Sequence, residues 1–485
     1  MMLTGKVGSY RPKLVLDSYL ESGEEGRLTD FLELETGAKW YKPSPCSAAA
    51  MSEAFYALDH RYVLDCLPPR EKIVVARARG VKIEDADGRV YTDLFSGIST
   101  NNLGHCHPEV VEAIATQAKK FMHVSAYYYH ELEATLAQRL SSVAPGKLSK
   151  TFFCNSGTEA VDGSVKITKL YASSRGKGGA TVVALKGSFH GRLSLTLSLT
   201  GQRKFKANLG NYANYPGVVH TLSPYYYRYG EGVSEEEFGK RCADEIRDVI
   251  ENCVAGDVAA VVVEPILGEG GIIVPPDTFL PRVATICKEE GVPLVVDEVQ
   301  TGFGRTGKIF ACQHWSVDPD VMALAKALGG GLPLGAIMVS EDVSKAIQPG
   351  DHFNTFFANP VCCAAALAAI SVLQRENLAE RAGKIGTEVL KRLGEAQERI
   401  SSVGDVRGKG LMIGIELVKD RSTKKPAPEL AQEVKKEMLR KGYIVGVGGI
   451  FKNVVRLQPP LIIPEDEAER ATSELIASMK ETSAR

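Results

Sequence analysis

Asp297 and Lys326 are the two residues of this sequence whose surroundings are most typical of chemistry. Asp297 ends the apolar run 293–296 and precedes Glu298 and several glycines, which is typical of a buried strand that ends at a ligand crevice. Lys326 lies within the apolar segment 321–328, where desolvation lowers the pKa of an amine and makes it nucleophilic. Such a pair suggests the two ends of a pyridoxal phosphate site, with the acid at the pyridine nitrogen and the lysine forming the Schiff base. A helix-capping aspartate and a lysine that extends to solvent remain the alternatives.

A candidate anion-binding site follows the strand predicted at 149–154. The small polar residues 155–160 lead directly into a predicted helix that ends at Leu170. A turn of this kind leaves backbone N–H groups free, and the N-terminus of a helix favours an anion. The segment therefore predicts a phosphate-binding site, with an ordinary capped helix as the alternative.

Two further predicted strands, at 180–186 and 258–263, also end in polar or glycine-rich loops. Phe189 follows the first strand and could stack on a planar cofactor, while Arg192 offers a planar fork for a carboxylate. Glu264 follows the second strand directly. Four strand ends of this type favour one shared site at the carboxyl edge of a parallel sheet.

Residues 302–308 match two nucleotide-binding patterns, but neither pattern has the context that it requires. The dinucleotide pattern needs a strand directly before the glycines and a long helix after them, and both are missing here. The P-loop pattern needs Ser or Thr where Ile309 stands. The two histidines of 104–108 have no third ligand nearby, which favours loop and cap hydrogen bonds over metal binding. We therefore predict no metal site.

The composition is that of an ordinary soluble enzyme, with 44% hydrophobic residues, 24% charged residues and a net charge of -1 over 485 residues. The charge argues against partners such as nucleic acid or a membrane surface. The longest apolar run, 360–373, is short for a membrane span. The ten cysteines have no zinc-like spacing and predict free buried thiols in a reducing compartment. Because the N-terminus has no apolar signal region, we expect a cytoplasmic protein.

The chain is too long for a single hydrophobic core, so several structural parts are expected. The predicted parts are an N-terminal extension at 1–70, a segment at 71–122 that packs with the small domain, a large domain at 123–371, and a small C-terminal domain at 372–485. Three local predictions are a hairpin within 73–92, loops throughout 203–235, and one strand at 406–416.

Several ordered motifs resemble those of the class III aminotransferases, which are pyridoxal-phosphate enzymes of fold type I. The resemblance runs from about residue 70 to the end and rests on 104–108, 155–160, 189–192, 264–266, 297–307, Lys326, Thr355 with Asn359-Pro360, and Arg456 before Pro459-Pro460. It implies an α/β fold, with a large domain built on a mostly parallel seven-stranded sheet flanked by helices and a smaller α+β domain. It also implies pyridoxal phosphate as the cofactor.

The resemblance implies a role for each matching residue. Lys326 would bind the cofactor covalently and later move a proton, and Asp297 would hold the pyridine nitrogen protonated. The other implied cofactor contacts are Ser156, Gly157, Thr158, Phe189, His190, Glu264, Val299, Gln300 and Thr355. Of these, Gly157 and Thr158 would bind the phosphate, Val299 and Phe189 would pack on opposite faces of the ring, and Gln300 would lie near the phenolic oxygen. Thr355 would come from a neighbouring subunit, which implies a homodimer with shared sites, or a tetramer of such dimers.

The implied substrate contacts are Ile98, Arg192, Glu269 and Arg456. Independently of the resemblance, Arg456 stands between apolar residues, so it is predicted to have a carboxylate partner. In relatives that handle ω-amino acids, the first arginine binds the remote carboxylate and the glutamate neutralises the second arginine until an α-carboxylate arrives. We therefore expect an ω-amino acid donor and 2-oxoglutarate as acceptor, with pyruvate or glyoxylate next. An amino-acid racemase or epimerase, or another pyridoxal-phosphate isomerase or lyase, remains the alternative.

The sequence departs from the family pattern at two places. Leu267 stands where the family usually has Gln, and Phe357-Ala358 replaces a small pair in the loop that contains Thr355. A bulky residue in that loop would narrow the site or repack the contact between subunits. We therefore do not expect this protein to have the same substrate preferences as any one relative.

Overall fold

The computed structural model describes residues 48–179 and 181–483. The chain divides between Val74 and Val75 into two compact units, and the second continues to Arg485. Most of the predicted N-terminal extension, residues 1–47, lies outside the described residues. The described part of the first unit contains helix α1 (Ala48–Tyr62). All the residues predicted to form the site belong to the second unit.

The second unit contains strands in three sheets and long helices. The strands are β1 (Val75–Arg79), β2 (Lys82–Asp85), β3 (Val90–Asp93), β4 (Leu148–Cys154), β5 (Thr181–Leu185), β6 (Val218–Thr221), β7 (Val258–Val263), β8 (Leu294–Asp297), β9 (Val321–Leu324), β10 (Gly335–Ser340), β11 (Val403–Lys409), β12 (Met412–Asp420), β13 (Lys425–Pro426), β14 (Tyr443–Ile444), β15 (Gly446–Gly448) and β16 (Val454–Leu457). The longer helices are α2 (Pro108–Ala118), α3 (Glu131–Val143), α4 (Gly157–Ser174), α5 (Glu235–Asp248), α6 (Phe279–Glu290), α7 (Pro360–Arg375), α8 (Leu378–Arg399), α9 (Pro428–Arg440) and α10 (Glu465–Ser483).

A seven-stranded sheet in the order β4-β10-β9-β8-β7-β5-β6 forms the centre of the second unit. Every neighbouring pair from β9 to β6 is parallel, whereas β10 runs antiparallel to both β4 and β9. All residues of β7, β8 and β9 are buried, as expected for parallel strands covered on both faces. The predicted mostly parallel sheet of seven strands is therefore confirmed.

The parallel strands place their carboxyl ends at one edge of this sheet. The polar segments after β4, β5, β7 and β8 consequently meet there, together with Lys326, which follows β9. Burying the apolar strands thus brings together side chains that are up to about 170 residues apart in sequence. The predicted convergence of strand ends is confirmed.

Two smaller sheets complete the second unit. A four-stranded sheet has the order β1-β2-β3-β14, in which β14 pairs parallel with β3 and so joins the two ends of the unit. A five-stranded sheet has the order β11-β12-β16-β15, with β13 paired to β12. The predicted hairpin is part of the first of these sheets, because β2 pairs antiparallel with both β1 and β3. The predicted domain boundaries stay predictions.

Two local predictions were wrong. The segment 203–235 is not all loop, because Val218–Thr221 forms the edge strand β6 beside β5 and Tyr226–Tyr229 forms a helical turn. The segment 406–416 is not one strand, because the chain reverses at Gly410, whose φ of 54° suits glycine, and β11 pairs with β12. Both errors arise because short strands and tight turns carry little periodic signal.

The glycine-rich segment 302–307 lies in the connection from β8 to β9, is mostly buried, and packs against the turn between β11 and β12. Arg305 is fully buried there and donates hydrogen bonds to the carbonyl of Leu411 at 3.0 Å and to Asn102 Oδ1 at 2.6 Å. The segment is followed by the short 3-10 helix Ala311–Trp315 and not by the long helix that the dinucleotide pattern requires. Histidine 105 likewise makes loop hydrogen bonds, with its Nε2 at 2.9 Å from Asp93 Oδ2.

The cysteines and the apolar helices were both subjects of sequence-based predictions. The described cysteines include six buried free thiols, but Cys66, Cys106 and Cys253 are exposed, so the prediction that the thiols are buried holds only in part. Among the described helices, no single one is long and apolar enough to cross a membrane, although the bent pair α7 and α8 passes by length and composition alone.

Candidate active site

A cleft of about 610 Å³ lies at the carboxyl edge of the seven-stranded sheet. It is lined by twelve of the predicted site residues, namely Ser156, Gly157, Thr158, Phe189, His190, Arg192, Glu264, Glu269, Asp297, Val299, Gln300 and Lys326. Other lining residues include Thr100, Asn155, Leu193 and the segment 331–334. The structure thus brings into one cavity residues that the sequence distributes over five strand ends.

Asp297 is a buried carboxylate at the last position of β8. Its Oδ2 lies 2.8 Å from Nδ1 of His190, and its Oδ1 accepts a hydrogen bond from the Val299 N–H at 3.0 Å. Burial lowers the pKa of His190, but the hydrogen bond and charge of Asp297 outweigh burial, so that the net shift is upward. The hydrogen bond to His190 therefore orients the Asp297 carboxylate.

Lys326 lies directly after β9 in a 3-10 turn, Lys326–Gly329. Its φ of 47° is unusual for a residue with a side chain, and such strain is often concentrated at functional sites. Burial lowers the pKa of its amine, against the opposing charges of Asp297 and Glu264. Among the described residues it forms no ion pair. Lys326 can therefore present a neutral, nucleophilic amine to the cleft at lower pH than an exposed lysine.

Helix α4 points its N-terminus at the cleft. Ser156 caps the helix, since its Oγ accepts a hydrogen bond from the Glu159 N–H at 3.3 Å. The N–H groups that precede Glu159 in the first helical turn have no carbonyl partners within the helix and so remain available to an anion. The hydroxyl of Thr158 is fixed by Thr196, with 2.6 Å between the two oxygens. The predicted phosphate-binding segment therefore has the geometry of an anion site.

Glu264 connects two of the loops that form the cleft. Its Oε1 accepts a hydrogen bond from the Phe189 N–H at 2.8 Å, and its Oε2 accepts one from the Gly268 N–H at 2.9 Å. Burial raises the pKa of this carboxyl to about 7, helped by the nearby charge of Asp297 and opposed by His190. Glu264 thus fixes the position of Phe189 relative to the loop that carries Glu269.

The residues present fit pyridoxal phosphate. The cleft provides an anion site at α4, an acid for a ring nitrogen at Asp297, an amine at Lys326, and apolar walls from Phe189 and Val299. The cradle is tight, because a Cβ added to Gly157 would lie 2.7 Å from Val299 Cγ1. The buried Nε2 of His190 has no hydrogen-bond partner among the described residues. The chemistry of this donor set matches a phosphorylated aromatic aldehyde.

Arg192 lies at the mouth of the cleft, exposed, with its guanidinium 4.5 Å from the ring centre of Phe205 and 5.7 Å from that of Phe189. Among the described residues it forms no ion pair. Stacking fixes the plane of a guanidinium but leaves its N–H groups available. Arg192 is therefore arranged to bind a carboxylate that enters the cleft.

Glu269 and Arg456 form the ion pair that the sequence predicted for Arg456, with 2.7 Å between Oε2 and Nη1. Arg456 is buried on β16, and its guanidinium lies 5.1 Å from the ring centre of Phe95. Lys204 approaches Glu269 from the other side, with 3.4 Å between Nζ and Oε1. Burial raises the pKa of Glu269, but both cations outweigh it, so the pKa lies below the usual range.

Three predicted site residues, including the buried Arg456, are not among those that line the cleft. Thr355 is exposed and does not line the cleft, and Ile98 is exposed with a φ of 63°. Sequence reasoning missed Lys204 and Phe205, which belong to the short turn Arg203–Phe205. Their only sequence signal was their place in a loop after β5. Position in a loop does not indicate which residues the side chains contact.

Thr355 lies beside an exposed aromatic face, which we define as Met122, Tyr127, Tyr129, Phe353 and Phe356. The rings of Tyr127 and Phe353 are 5.7 Å apart, and Asn359 Nδ2 donates to the Met122 carbonyl at 3.0 Å, so the two segments are joined. Tyr129 is 99% exposed. Exposed apolar side chains that group in this way are typical of a protein–protein contact.

The comparisons with known proteins agree with the geometry of the cleft. The family model described as aminotransferase class-III matches residues 67–479. The chain is 39% identical to an acetylornithine aminotransferase from Methanopyrus kandleri, over 85% of this chain and 95% of the relative. It is 37% identical to a leucine/methionine racemase from Thermococcus litoralis, over 83% of this chain and 89% of the relative. Among solved structures, an (S)-enantioselective omega-transaminase from Thermomicrobium roseum superposes with a TM-score of 0.83 at 31% identity, covering 89% of this chain and 98% of that one.

Proposed function

Because this chain belongs to the class III aminotransferases, which are enzymes dependent on pyridoxal phosphate, we propose that it moves the terminal amino group of an ω-amino acid to 2-oxoglutarate. The transaminase activity follows from the family. The choice of substrates is supported by the charges at the cleft, namely an Arg192 without an ion pair among the described residues and an Arg456 neutralised by Glu269.

When bound, pyridoxal phosphate supplies a conjugated ring that takes up the electron pair left when the substrate loses a proton from carbon. Asp297, a buried carboxylate held by His190, would stabilise a positive charge on the ring nitrogen. Lys326 would hold the cofactor through its amine and would carry the proton, since burial lowers the pKa of that amine. Helix α4 would hold the phosphate, and Phe189 and Val299 would provide apolar walls for the ring.

The substrate proposal rests on one observation. Arg456 is paired with Glu269, whereas Arg192 forms no ion pair among the described residues. A donor with a remote carboxylate and no α-carboxylate would bind Arg192 and leave the pair of Arg456 and Glu269 intact. A 2-oxo diacid would bind Arg192 with one end and draw Arg456 away from Glu269 with the other. One cleft could then accept both substrates in turn without leaving an arginine unpaired.

We expect Arg192→Ala to lower kcat/KM for 4-aminobutyrate by about 10- to 100-fold, because a charge-assisted hydrogen bond contributes roughly 1.5–3 kcal/mol. The rate with butylamine, which has no carboxylate, should change little. Arg203→Ala, at an exposed neighbour without an ion pair among the described residues, is the matched control. Equal losses of kcat/KM with both amines would show that Arg192 does not bind the carboxylate.

The acceptor is tested by steady-state rates with 2-oxoglutarate, pyruvate and glyoxylate at saturating donor. We expect 2-oxoglutarate to give the highest kcat/KM, because it alone of the three offers a second carboxylate for Arg192. Absence of activity with 2-oxoglutarate would reject this choice of acceptor, and higher rates with pyruvate or glyoxylate would replace it.

The aromatic face is best explained by a second copy of this chain, which would carry Thr355 to the phosphate of the first copy's site. We expect a solution mass of about twice the 52.4 kDa chain mass. Phe356→Glu should lower that mass to the single-chain value and weaken cofactor binding, because a buried unpaired charge at such a contact is costly. A monomeric wild-type protein with full cofactor affinity would contradict the shared site.

A racemase is the second candidate, and its support is the similarity to the leucine/methionine racemase. The same lysine and acid serve both reactions, so the residues of the cleft do not separate them. A racemase would change the optical rotation of a single amino acid without any 2-oxo acid. Turnover that requires a 2-oxo acid would reject this candidate.

A further inference from the structure

Glu269 has two cationic partners that come from different parts of the fold. Arg456 belongs to β16, whereas Lys204 belongs to the turn Arg203–Phe205 that follows β5. Arg456 makes the shorter contact, 2.7 Å against 3.4 Å for Lys204. The Glu269 side chain is only 22% exposed, so its negative charge is costly to leave without a partner.

Arg456 is held in a way that permits it to leave Glu269. Only Nη1 contacts the carboxylate, Nη2 lies 3.4 Å from the Val447 carbonyl, and the buried Nε has no hydrogen-bond partner among the described residues. Gly448 provides the necessary space, because a Cβ there would lie 2.6 Å from Arg456 Cζ. An arriving carboxylate could therefore satisfy donors of Arg456 that Glu269 does not reach.

Lys204 has anchors that do not depend on Arg456. Its Nζ donates to the Gly449 carbonyl at 3.0 Å and lies 4.7 Å from the ring centre of Phe205. If Arg456 turned to a substrate, these anchors would keep Lys204 beside Glu269. The charge of Glu269 then remains compensated in both states of the site.

We propose that Lys204 is the second counter-ion of Glu269 and sets the affinity of the cleft for substrates that carry an α-carboxylate. It is a positioning residue, since it acts through Glu269 and Arg456. The inference rests on the proposed function, in which Arg456 exchanges Glu269 for that carboxylate. Without Lys204, binding of a dicarboxylate would leave Glu269 buried and unpaired, whereas binding of a single carboxylate at Arg192 would not.

The test measures the dissociation constants of glutarate and butyrate with the holoenzyme by calorimetry. Glutarate has two carboxylates for the two arginines, and butyrate has one. We expect Lys204→Met to raise the glutarate constant by about tenfold or more, and the butyrate constant by less than about threefold. Lys204→Arg should restore glutarate binding, because it keeps the charge.

Two further variants separate a charge effect from a general loss of structure. Lys206→Met removes a lysine two positions away that donates to the Ser198 carbonyl at 2.8 Å, and it should leave both constants unchanged. In a Glu269→Gln background, Lys204→Met should cause no further loss of glutarate affinity, since the anion that needs Lys204 is gone. An equal loss with and without Glu269 would overturn the inference.

The remaining outcomes distinguish the inference from the proposed function. If wild type prefers glutarate and Lys204→Met keeps that preference, the inference about Lys204 is wrong and the proposed function stands. If Lys204→Met weakens the binding of glutarate and of butyrate equally, Lys204 acts by stabilising the fold or by positioning Arg192. The inference is again wrong in that case. If wild type binds glutarate no more tightly than butyrate, the proposed use of Arg456 is wrong, and the inference is wrong with it.

Discussion

Replacing Lys326 by alanine is expected to lower kcat by about 10⁴-fold or more, because the variant loses both the amine that binds the cofactor and the group that carries the proton. The fold should survive, since the side chain forms no ion pair among the described residues and is only half-buried. The rate is measured with a saturating donor and 2-oxoglutarate, and cofactor content is measured in parallel.

Two controls make the Lys326 experiment specific. Lys308→Ala removes an exposed lysine of the adjoining connection and should keep wild-type activity. Borohydride reduction followed by peptide mass spectrometry should place the cofactor on Lys326 in wild type and on no lysine in Lys326→Ala. Near-normal turnover of purified Lys326→Ala, or labelling of a different lysine, would contradict the assignment.

Replacing Asp297 by asparagine is expected to lower kcat by about 10²- to 10³-fold, the usual loss when one preorganised electrostatic contact is removed from an active site. Asparagine keeps the shape and can still accept a hydrogen bond from His190, but it has no negative charge for the ring nitrogen. Affinity for pyridoxal phosphate should fall less than kcat, because the proposed phosphate contacts come from the N-terminus of α4 and not from Asp297.

The pH response of His190 provides a second measurement on the Asp297 variant. The hydrogen bond to Asp297 raises the pKa of His190 against the effect of burial, so Asp297→Asn should lower that pKa, observable by NMR of a labelled imidazole. Glu298→Gln, which removes the neighbouring buried acid outside the cleft lining, should leave kcat within about threefold of wild type. Equal losses of kcat in Asp297→Asn and Glu298→Gln would show that removing any buried negative charge at this position of the fold lowers the rate.

The positions of the catalytic candidates could be predicted from the sequence because Glu264 and Asp297 follow apolar runs and Lys326 lies within one. Burial of β7, β8 and β9 on both faces places Glu264, Asp297 and Lys326 at their ends, whatever the detailed packing. The carboxylate partner of Arg456 was equally predictable, because a buried guanidinium requires one. Each of these predictions depends only on the local sequence, and each allows only one structural outcome.

Other features depend on contacts that the local sequence does not record. The four residues of β6 become a strand only by pairing with β5, and the turn at Gly410 is set by the pairing of β11 with β12. Lys204 reaches Glu269 across 65 positions of sequence, through a short turn with no hydrophobic period. Its role therefore emerges only once the β5 loop and the β15–β16 hairpin are placed side by side.

The central claim is that one cleft exchanges an amino group between an ω-amino acid and 2-oxoglutarate. It is tested most directly by mixing the holoenzyme with 4-aminobutyrate alone and recording the visible absorbance of the lysine-bound cofactor. We predict that this absorbance disappears and that 2-oxoglutarate, added next, restores it with formation of glutamate. An absorbance that does not respond to 4-aminobutyrate or to any amine of a wider panel, or one that 2-oxoglutarate fails to restore, would contradict the account.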